Sequence, residues 1–308
     1  MTSGVKPAAV ALGAAAAGVA VWSTLIERQL FTVRRHTLPV LAAGAAPLRV
    51  LQLSDLHLAP WQARKIDWVR SLAALAPDLV VLTGDLMGHL QARGALLYAL
   101  QPVIESAPTV FVHGSNDYYG PIFKNPVKYL IEPSRLATRT PDIDNRALTE
   151  GLEGLGAINL NNAATSLKLR GTDVQLLGLN DPHIRYHDVD RMRESLATIE
   201  TDPAEPRPVR LGVIHAPYQA QLGELLDDGA DVILAGHTHG GQVRIPGVGA
   251  LTANCDLPNA QARGLSVWYD AHRAAFLNVS AGLGNSIYAP VRFACRPEAS
   301  LLTLEATS

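Results

Sequence analysis

Two histidines separated by one residue stand in a glycine-rich stretch that reads Gly236-His237-Thr238-His239-Gly240-Gly241. Glycine permits a tight turn and a close approach of the backbone, so both imidazoles can be directed into one cavity. Imidazole is a good ligand for transition-metal ions such as Zn and Fe. A surface loop explains an isolated pair of histidines equally well, so a metal site requires further ligands elsewhere in the chain.

Further carboxylate, amide and imidazole side chains follow other apolar segments of the sequence. Asp55 and His57 are two residues apart, and such residues share one side of an extended chain, so they can bind one ion together. Asp85 can bridge two ions, because each of its carboxylate oxygens can face a different cation. Two divalent cations can activate water and stabilise the charge that develops in phosphoryl transfer. The full set of candidate metal ligands is Asp55, His57, Asp85, Asn116, His215, His237 and His239.

The elements that would position these side chains are short apolar strands that alternate with helices. Strands alternating with helices predict βα units and a largely parallel sheet, whose binding crevice lies outside the carboxyl ends of the strands. A Gly171-Thr172-Asp173 turn between two further apolar segments predicts a hairpin, so antiparallel strands are expected too. The predicted strands before the ligands are Leu48–Ser54, Asp78–Thr83, Thr109–Val112, Val209–Ile214 and Asp231–Ala235, and the predicted helices include Ala63–Ala76, Leu90–Glu105 and Asn145–Leu155.

The order of these motifs resembles that of the calcineurin-like metallophosphoesterases, whose pattern is DxH, GD, GNHD or GNHE, a lone His, and GHxH. This chain has Asp55-Leu56-His57, Gly84-Asp85, Gly114-Ser115-Asn116-Asp117, His215 and Gly236-His237-Thr238-His239 in the same order. The resemblance extends from about Leu48 to the C-terminus and is greatest to the bacterial membrane-associated branch. It implies an α/β fold, a four-layer αββα sandwich with two mixed β-sheets.

The resemblance also implies a ligand set and a reaction. Two divalent metal ions (Mn, Fe or Zn) would activate a water that attacks the phosphorus of a phosphoester substrate. One ion would be held by Asp55, His57, Asp85 and His239, and the other by Asp85, His215, His237 and the asparagine of the family motif.

The third motif departs from the family pattern, because Gly-Ser-Asn-Asp stands where the family has Gly-Asn-His-Asp. Either Ser115 takes the place of the asparagine ligand, or the turn shifts by one residue and Asn116 becomes the ligand and the candidate catalytic residue. In both cases the histidine that would assist the leaving group is missing, and general acid assistance is typically worth about 10²–10⁴-fold in rate. Phosphodiesters and pyrophosphates are therefore favoured over alkyl monoesters. The alternatives are a non-catalytic metal-binding scaffold on the same fold and a lipid-linked pyrophosphate hydrolase.

The N-terminal segment is the other unusual region, since Pro7–Ile26 contains no charged side chain. About 20 apolar residues are enough for a transmembrane helix, although a cleaved signal peptide or a helix packed on the domain remains an alternative. We expect a membrane segment and linker over residues 1–46, the linker running from Pro39 to Pro47, and a metallophosphoesterase domain over residues 47–308. Lys6 and the amino terminus lie before the segment, and Arg28, Arg34 and Arg35, offset by Glu27, lie after it. This balance slightly favours a cytoplasmic catalytic domain at the cell membrane.

Composition limits the remaining function classes. The formal net charge of −2 offers no broad basic surface, so we expect no binding to duplex nucleic acid. Only two cysteines are present, Cys255 and Cys295, which excludes a disulfide framework and leaves open whether they pair. Aromatic and basic residues between Tyr118 and Tyr129 predict either a lid over the substrate or a plain surface excursion.

Overall fold

The computed structural model describes residues 7–122, 140–200 and 206–307. Its first large sheet has six strands, and nearly all side chains of its central strands are buried because both faces of these strands are covered. In spatial order the strands are β1 (Thr32–Leu41), β14 (Glu298–Ala306), β2 (Leu48–Leu53), β3 (Leu79–Thr83), β4 (Thr109–Val112) and β5 (Ile158–Asn159). All neighbouring pairs are parallel except the pair of β14 with β2, which is antiparallel.

The second large sheet also has six strands and is mixed. Its outer pairs, β12 with β13 and β6 with β7, are antiparallel, and its inner pairs are parallel. A separate two-stranded hairpin consists of β10 (Arg244–Ile245) and β11 (Gly249–Ala250). In spatial order the second sheet has β12 (Gly264–Tyr269), β13 (Ala274–Val279), β9 (Val232–Ala235), β8 (Val209–Ile214), β7 (Thr172–Leu179) and β6 (Ala163–Leu169).

Helices cover the outer face of each sheet, and three apolar cores separate the layers. In β2, Leu51 and Leu53 pack towards the helices, whereas Leu48 and Val50 pack between the two sheets, as the alternation of side chains along a strand requires. This arrangement confirms the predicted four-layer αββα sandwich with two mixed sheets. The helices are α1 (Pro7–Val21), α2 (Ala63–Ser71), α3 (Arg93–Ser106), α4 (Asn145–Gly154), α5 (Val189–Ala197) and α6 (Gln219–Asp227).

A buried polar contact joins the two sheets near the ends of their strands. The amide nitrogen of Gln52 donates to the carbonyl of Ala235 at 2.9 Å, and its oxygen accepts from the Asn278 amide at 2.7 Å. All three residues are buried. Because buried amides are costly unless they are hydrogen-bonded, this contact opposes sliding of β2 relative to β9 and β13.

Strand β1 differs from the expected linker between Pro39 and Pro47. It pairs with β14 along its whole length, and the register shifts between Pro39 and Leu41. Proline lacks an N–H and is tolerated on an edge strand such as this one. The sequence gave no strand signal for β1, because the strand contains three consecutive basic residues, Arg34 to His36, and Pro39. The strand lies N-terminal to the predicted division between residues 46 and 47, which stays a prediction.

The N-terminal apolar segment is one continuous helical stretch, Ala9–Gln29, with a mean hydropathy of 1.9 and only 6% of its most apolar window buried. By length and composition it could cross a membrane, and a signal sequence would pass the same test. Its base is attached to the domain by the buried carboxylate of Glu27. This carboxylate accepts hydrogen bonds from the Trp22 indole at 2.7 Å and from the backbone N–H groups of Ala294 at 3.0 Å and Cys295 at 2.6 Å.

Candidate metal centre

All seven predicted ligand side chains lie at the carboxyl ends of strands, at the edge where the two sheets meet. The first sheet contributes four of them and the second sheet contributes three, so neither sheet carries a complete set. Asp55 and His57 follow β2, Asp85 follows β3, Asn116 follows β4, His215 follows β8, and His237 and His239 follow β9.

Four of these side chains form a compact, buried cage that could hold a metal ion. Asp55, His57, Asp85 and His239 each offer one ligand atom, and these atoms lie within 4.8 Å of one another. The Nε2 atoms of His57 and His239 are 3.2 Å apart, and His57 Nε2 lies 3.4 Å from Asp85 Oδ2. Two imidazole nitrogens this close are difficult to accommodate when both carry protons, whereas a shared cation satisfies both.

The other oxygen of Asp85 faces the second half of the cluster. Asp85 Oδ1 lies 3.5 Å from Nε2 of His215, and the His215 ring meets the His237 ring edge to face with 5.2 Å between centroids. His215 is fully buried, and its Nε2 has no hydrogen-bond partner among the described residues. A buried imidazole nitrogen without a protein partner is consistent with a site that binds a cation. The residues present therefore fit divalent metal ions.

The third-motif loop lies against Asp85 through Asn116. The backbone N–H of Asn116 donates to Asp85 Oδ1 and its side-chain amide donates to Asp85 Oδ2, both at 2.7 Å. Both Ser115 and Asn116 are half-buried. Asn116 is therefore the residue of this loop whose side chain bonds directly to the shared carboxylate.

Carbonyl oxygens orient the imidazoles from behind. Nδ1 of His215 lies 2.8 Å from the carbonyl of Thr83, and Nδ1 of His239 lies 3.2 Å from the carbonyl of Gly284. In each ring this contact stabilises the tautomer with the proton on Nδ1 and leaves Nε2 free for the cluster. His237 differs, because its Nε2 is the atom near a carbonyl, that of Asn254 at 3.2 Å.

The backbone that presents the ligands is strained. Asp55, His57, Asp85, His237 and His239 all have φ between 38° and 67°, the left-handed region that residues with a side chain rarely adopt. Such conformations cost on the order of 1–3 kcal/mol each and persist where the surrounding structure enforces them, often at functional sites. Neighbouring glycines allow the close packing, since a Cβ on Gly114 would collide with the Asp85 carboxylate.

The buried surroundings shift the pKa values of the cluster in both directions. Desolvation lowers the pKa of His57 to about 4 and lowers the pKa values of His237 and His239 well below their usual range. Desolvation also raises the pKa of Asp55 to about 7, which favours its neutral acid. Burial disfavours the charged form of His215, but the carboxylates of Asp85 and Asp181 outweigh it and hold the His215 pKa well above the usual range. Burial opposes ionisation of Asp85 as well, but its interactions with His215 outweigh it and the Asp85 pKa is held well below the usual range.

Two buried residues beside the cluster were not among the predicted ligands. Asp181 follows β7, is fully buried, and has one carboxylate oxygen without a hydrogen-bond partner among the described residues; burial raises its pKa to about 7. Its position after a strand of the second sheet was the signal that could have identified it. Arg292 is fully buried and donates to the carbonyls of Ala281, Gly282 and Gly284, so it braces the carbonyl that contacts His239.

The remaining histidines near the motifs make ordinary contacts. His183 lies 2.9 Å from the Tyr218 hydroxyl, and its ring lies beside that of His237 with 4.7 Å between centroids. His113 precedes the glycine of the third motif and lies 2.9 Å from the hydroxyl of Thr149 in α4.

Two other expectations concern the cysteines and the lid. Cys255 and Cys295 are free thiols, so the pairing alternative is not seen. Of the aromatic and basic residues predicted for the lid, Tyr118 and Tyr119 are half-buried. Those at 123, 124, 128 and 129 lie outside the described residues.

Comparison with known proteins agrees with this geometry. The family model described as calcineurin-like phosphoesterase matches residues 48–241. The chain is 28% identical over 279 residues to phosphodiesterase YaeI of Escherichia coli (strain K12), an alignment covering 89% of this chain and 88% of the relative. It is 26% identical over 320 residues to UDP-2,3-diacylglucosamine pyrophosphatase LpxG of Chlamydia trachomatis, covering 92% of each chain.

A third relative, the transmembrane protein with metallophosphoesterase domain of Bos taurus, is 28% identical over 271 residues, which are 84% of this chain and 53% of the relative. The matched family segment contains every one of the seven strand-end side chains. The chain therefore belongs to the calcineurin-like phosphoesterase family and is a metal-dependent phosphoester hydrolase.

Proposed function

We propose that this chain is a binuclear metal-dependent phosphoesterase that cleaves phosphodiester or pyrophosphate bonds with a metal-activated water. The observation that supports two ions most directly is Asp85, whose two oxygens face different imidazoles, those of His57 and His215. A ligand for one ion alone would need only one of these oxygens. The Nε2 of His215, which lies outside the four-residue cage and has no hydrogen-bond partner among the described residues, supports a second cation in the same way.

The ligands divide into two overlapping groups. Asp55, His57, Asp85 and His239 would hold the first ion, and Asp85, Asn116, His215 and His237 would hold the second. Mn, Fe or Zn suits this mixture of carboxylate and imidazole ligands. When bound, such ions lower the pKa of water and stabilise negative charge on the phosphoryl oxygens.

The protein's own contribution is to hold these ligands rigidly and to keep them desolvated. Asn116 fixes the shared carboxylate through two hydrogen bonds, so the orientation of Asp85 is set before substrate arrives. Preorganised groups of this kind stabilise a transition state without reorganising during the reaction. The choice of Asn116 rather than Ser115 as the asparagine ligand is supported by this direct contact with Asp85.

The substrate class follows from the residue at the third motif. Asn116 cannot donate a proton to a leaving alkoxide as an imidazolium can, so substrates with acidic leaving groups are favoured. Phosphodiesters of acidic alcohols and pyrophosphates have such leaving groups. The names of two relatives, a phosphodiesterase and a pyrophosphatase, support the same two bond types.

A lipid-linked pyrophosphate is the second candidate substrate. The exposed apolar helix Ala9–Gln29 would anchor the chain in the cell membrane and hold the metal centre near lipid headgroups. We favour a cytoplasmic catalytic domain, because Arg28 lies in the last turn of the helix and Arg34 and Arg35 follow it. A relative named for UDP-2,3-diacylglucosamine, a lipid-bearing pyrophosphate, supports this candidate.

The experiment is a substrate panel on the full-length protein in detergent micelles with added Mn. Bis(4-nitrophenyl) phosphate, 4-nitrophenyl phosphate and UDP-2,3-diacylglucosamine represent a diester, a monoester and a lipid-linked pyrophosphate. Faster turnover of the diester or the pyrophosphate than of the monoester is expected. No turnover of any substrate with Mn, Fe or Zn, in protein that still binds metal, would instead establish the non-catalytic scaffold.

A further inference from the structure

An exposed apolar turn lies beside the metal centre and has no role in the chemistry described above. It is the tip of the hairpin formed by β10 and β11, which begins three residues after Gly241 of the metal-binding loop. The exposed fraction of Val248 is 75%, and Ile245 and Leu251 are also exposed. Large aliphatic side chains concentrated on a protruding turn are costly in water and often mark an interaction surface.

The hairpin is attached to the metal-binding loop on one side. The Arg244 guanidinium donates to the carbonyl of Gly240 at 2.9 Å, and Gly240 directly follows His239. Gly241 closes the loop by donating to the carbonyl of Thr238 at 2.8 Å. The base of the hairpin is therefore held against the metal-binding loop.

On its other side the hairpin contacts the segment that holds the base of the N-terminal helix. The backbone N–H of Arg244 donates to the carbonyl of Phe293 at 2.9 Å, and Ala294 lines the same surface depression as residues 244–249. Ala294 in turn donates to the Glu27 carboxylate. One short segment, residues 292–295, thus touches both the hairpin and the foot of the helix.

The foot of the helix is itself apolar and exposed. Trp22, Leu25 and Ile26 are all exposed to solvent, as is most of the helix that precedes them. Two exposed apolar groups, one on the helix and one on the hairpin, are therefore joined through residues 292–295. A bilayer that receives the helix is the apolar phase nearest to the hairpin.

We propose that the β10–β11 hairpin tip inserts into the lipid bilayer as a second membrane contact beside the N-terminal helix. The inference rests on the proposed membrane anchoring. Ile245 and Val248 would lie among the acyl chains near the headgroups, as the apolar face of an interfacial segment does. A second contact removes the freedom of the domain to swing about its helix, and it holds the metal centre at a fixed height above the membrane.

The test measures the depth of the hairpin tip directly. Full-length protein carrying Cys255→Ser receives Val248→Cys, labelled with a nitrobenzoxadiazole dye, and is reconstituted into phosphatidylcholine vesicles with or without brominated acyl chains. Cys295 is fully buried and is not expected to react.

The matched control is Tyr269→Cys in the same background, whose native side chain is 72% exposed, close to the value for Val248. Tyr269 pairs with Ala274 at the start of β13, whereas the other end of β13 lies beside Ala235 and the metal-binding loop. The control therefore lies about 17 Å along the strand from the ligand edge of the sheet.

Brominated lipid is expected to lower the emission from position 248 roughly twofold or more, since an interfacial apolar segment lies about 5–10 Å inside the headgroup boundary. Emission from position 269 is expected to stay unchanged. Protein that floats with the vesicles but shows no quenching at position 248 would overturn the inference and leave the anchoring intact. Protein that does not float would overturn the anchoring and the inference together.

A third outcome would identify another occupant of the hairpin. Emission from position 248 that changes with protein concentration, but not with bromination, would show that a second copy of the chain covers the tip, and it would overturn the bilayer assignment. Hydrolysis of bis(4-nitrophenyl) phosphate by both labelled proteins serves as the check that labelling left the fold and the proposed chemistry unchanged.

Discussion

Substitution of Asp85 by asparagine removes one negative charge from the metal centre while keeping the size and shape of the side chain. Asp85 is buried, and its two oxygens face the two halves of the cluster. Both oxygens also accept a hydrogen bond from Asn116. An amide has only one oxygen, so its NH₂ group must face either a donor on Asn116 or a metal ion.

The expected loss is large because both proposed ions share this carboxylate. Metal ions contribute several kcal/mol of charge stabilisation to a transition state. A loss of about 4 kcal/mol corresponds to a decrease in kcat/KM of roughly 10³-fold. The unfavourable contact of two donors with Asn116 adds a stability cost of about 1–3 kcal/mol, which a decrease in Tm would report separately.

The assay is hydrolysis of bis(4-nitrophenyl) phosphate with a Mn titration, accompanied by mass-spectrometric measurement of bound metal. Asp85→Asn is expected to bind fewer ions per chain than the wild type. The control is Asp173→Asn at the start of β7, whose carboxylate lies on the surface 3.8 Å from Lys168. This control lies about 20 Å along the strand from the ligand edge, and it is expected to leave both activity and metal content unchanged.

The result that would refute the reasoning is specific. If Asp85→Asn loses less than about tenfold in kcat/KM, or ~1.4 kcal/mol, and retains the wild-type metal content, Asp85 does not bridge two ions. A loss of activity with unchanged metal content would instead retain Asp85 as a charge in the site and reject its role as a ligand.

Three further substitutions test the surroundings of the centre. Asn116→Ala is expected to lower kcat/KM by about 10–100-fold, as does the loss of other groups that orient a metal ligand. The control is Ser115→Ala, and an equal loss of kcat/KM in this control would contradict the specific role of Asn116. Glu27→Gln should lower the free energy of unfolding by about 1–3 kcal/mol, because an amide NH₂ must then face a buried backbone donor. Chemical denaturation measures this free energy, and an unchanged midpoint would refute the stabilising role of the Glu27 hydrogen bonds. Burial lowers the pKa of Lys65 from 10.5 to about 7. Between these two pH values the folded state therefore binds fewer protons than the unfolded chain, and Lys65 makes the free energy of unfolding rise with pH. Lys65→Met should flatten this rise in denaturation curves measured across that range, whereas an unchanged slope would refute the assignment.

The strand-end positions of the predicted ligands could be inferred from sequence because each depends on a local pattern. A run such as Leu79–Thr83 is apolar on both faces, which predicts a buried strand, and the polar residue that follows must then lie at the edge of the sheet. Asp85 and His215 were identified in this way. The pattern gives the order of the ligands along the chain but not their distances, so the four-residue cage required the structure.

The features that sequence did not reveal depend on partners distant in the chain. Strand β1 is basic and contains Pro39, and it becomes a strand only because β14, more than 250 residues later, offers it an edge. Glu27 follows an apolar run and resembles a solvated flank, yet it is buried by backbone groups of Ala294 and Cys295. Asp181 lacks a flanking glycine, and only the packing of the second sheet shows that it is buried near His215.

The place of β14 between β1 and β2 has a consequence for synthesis on the ribosome. Both of its neighbours lie before residue 54, whereas β14 begins only at Glu298. Until β14 has been made, β1 and the outer edge of β2 have no partner and expose unpaired N–H and C=O groups. The first sheet therefore closes only after β14 has left the ribosome, when the N-terminal helix has long been available to the membrane. A nascent chain truncated before Glu298 would be expected to need a chaperone to stay soluble.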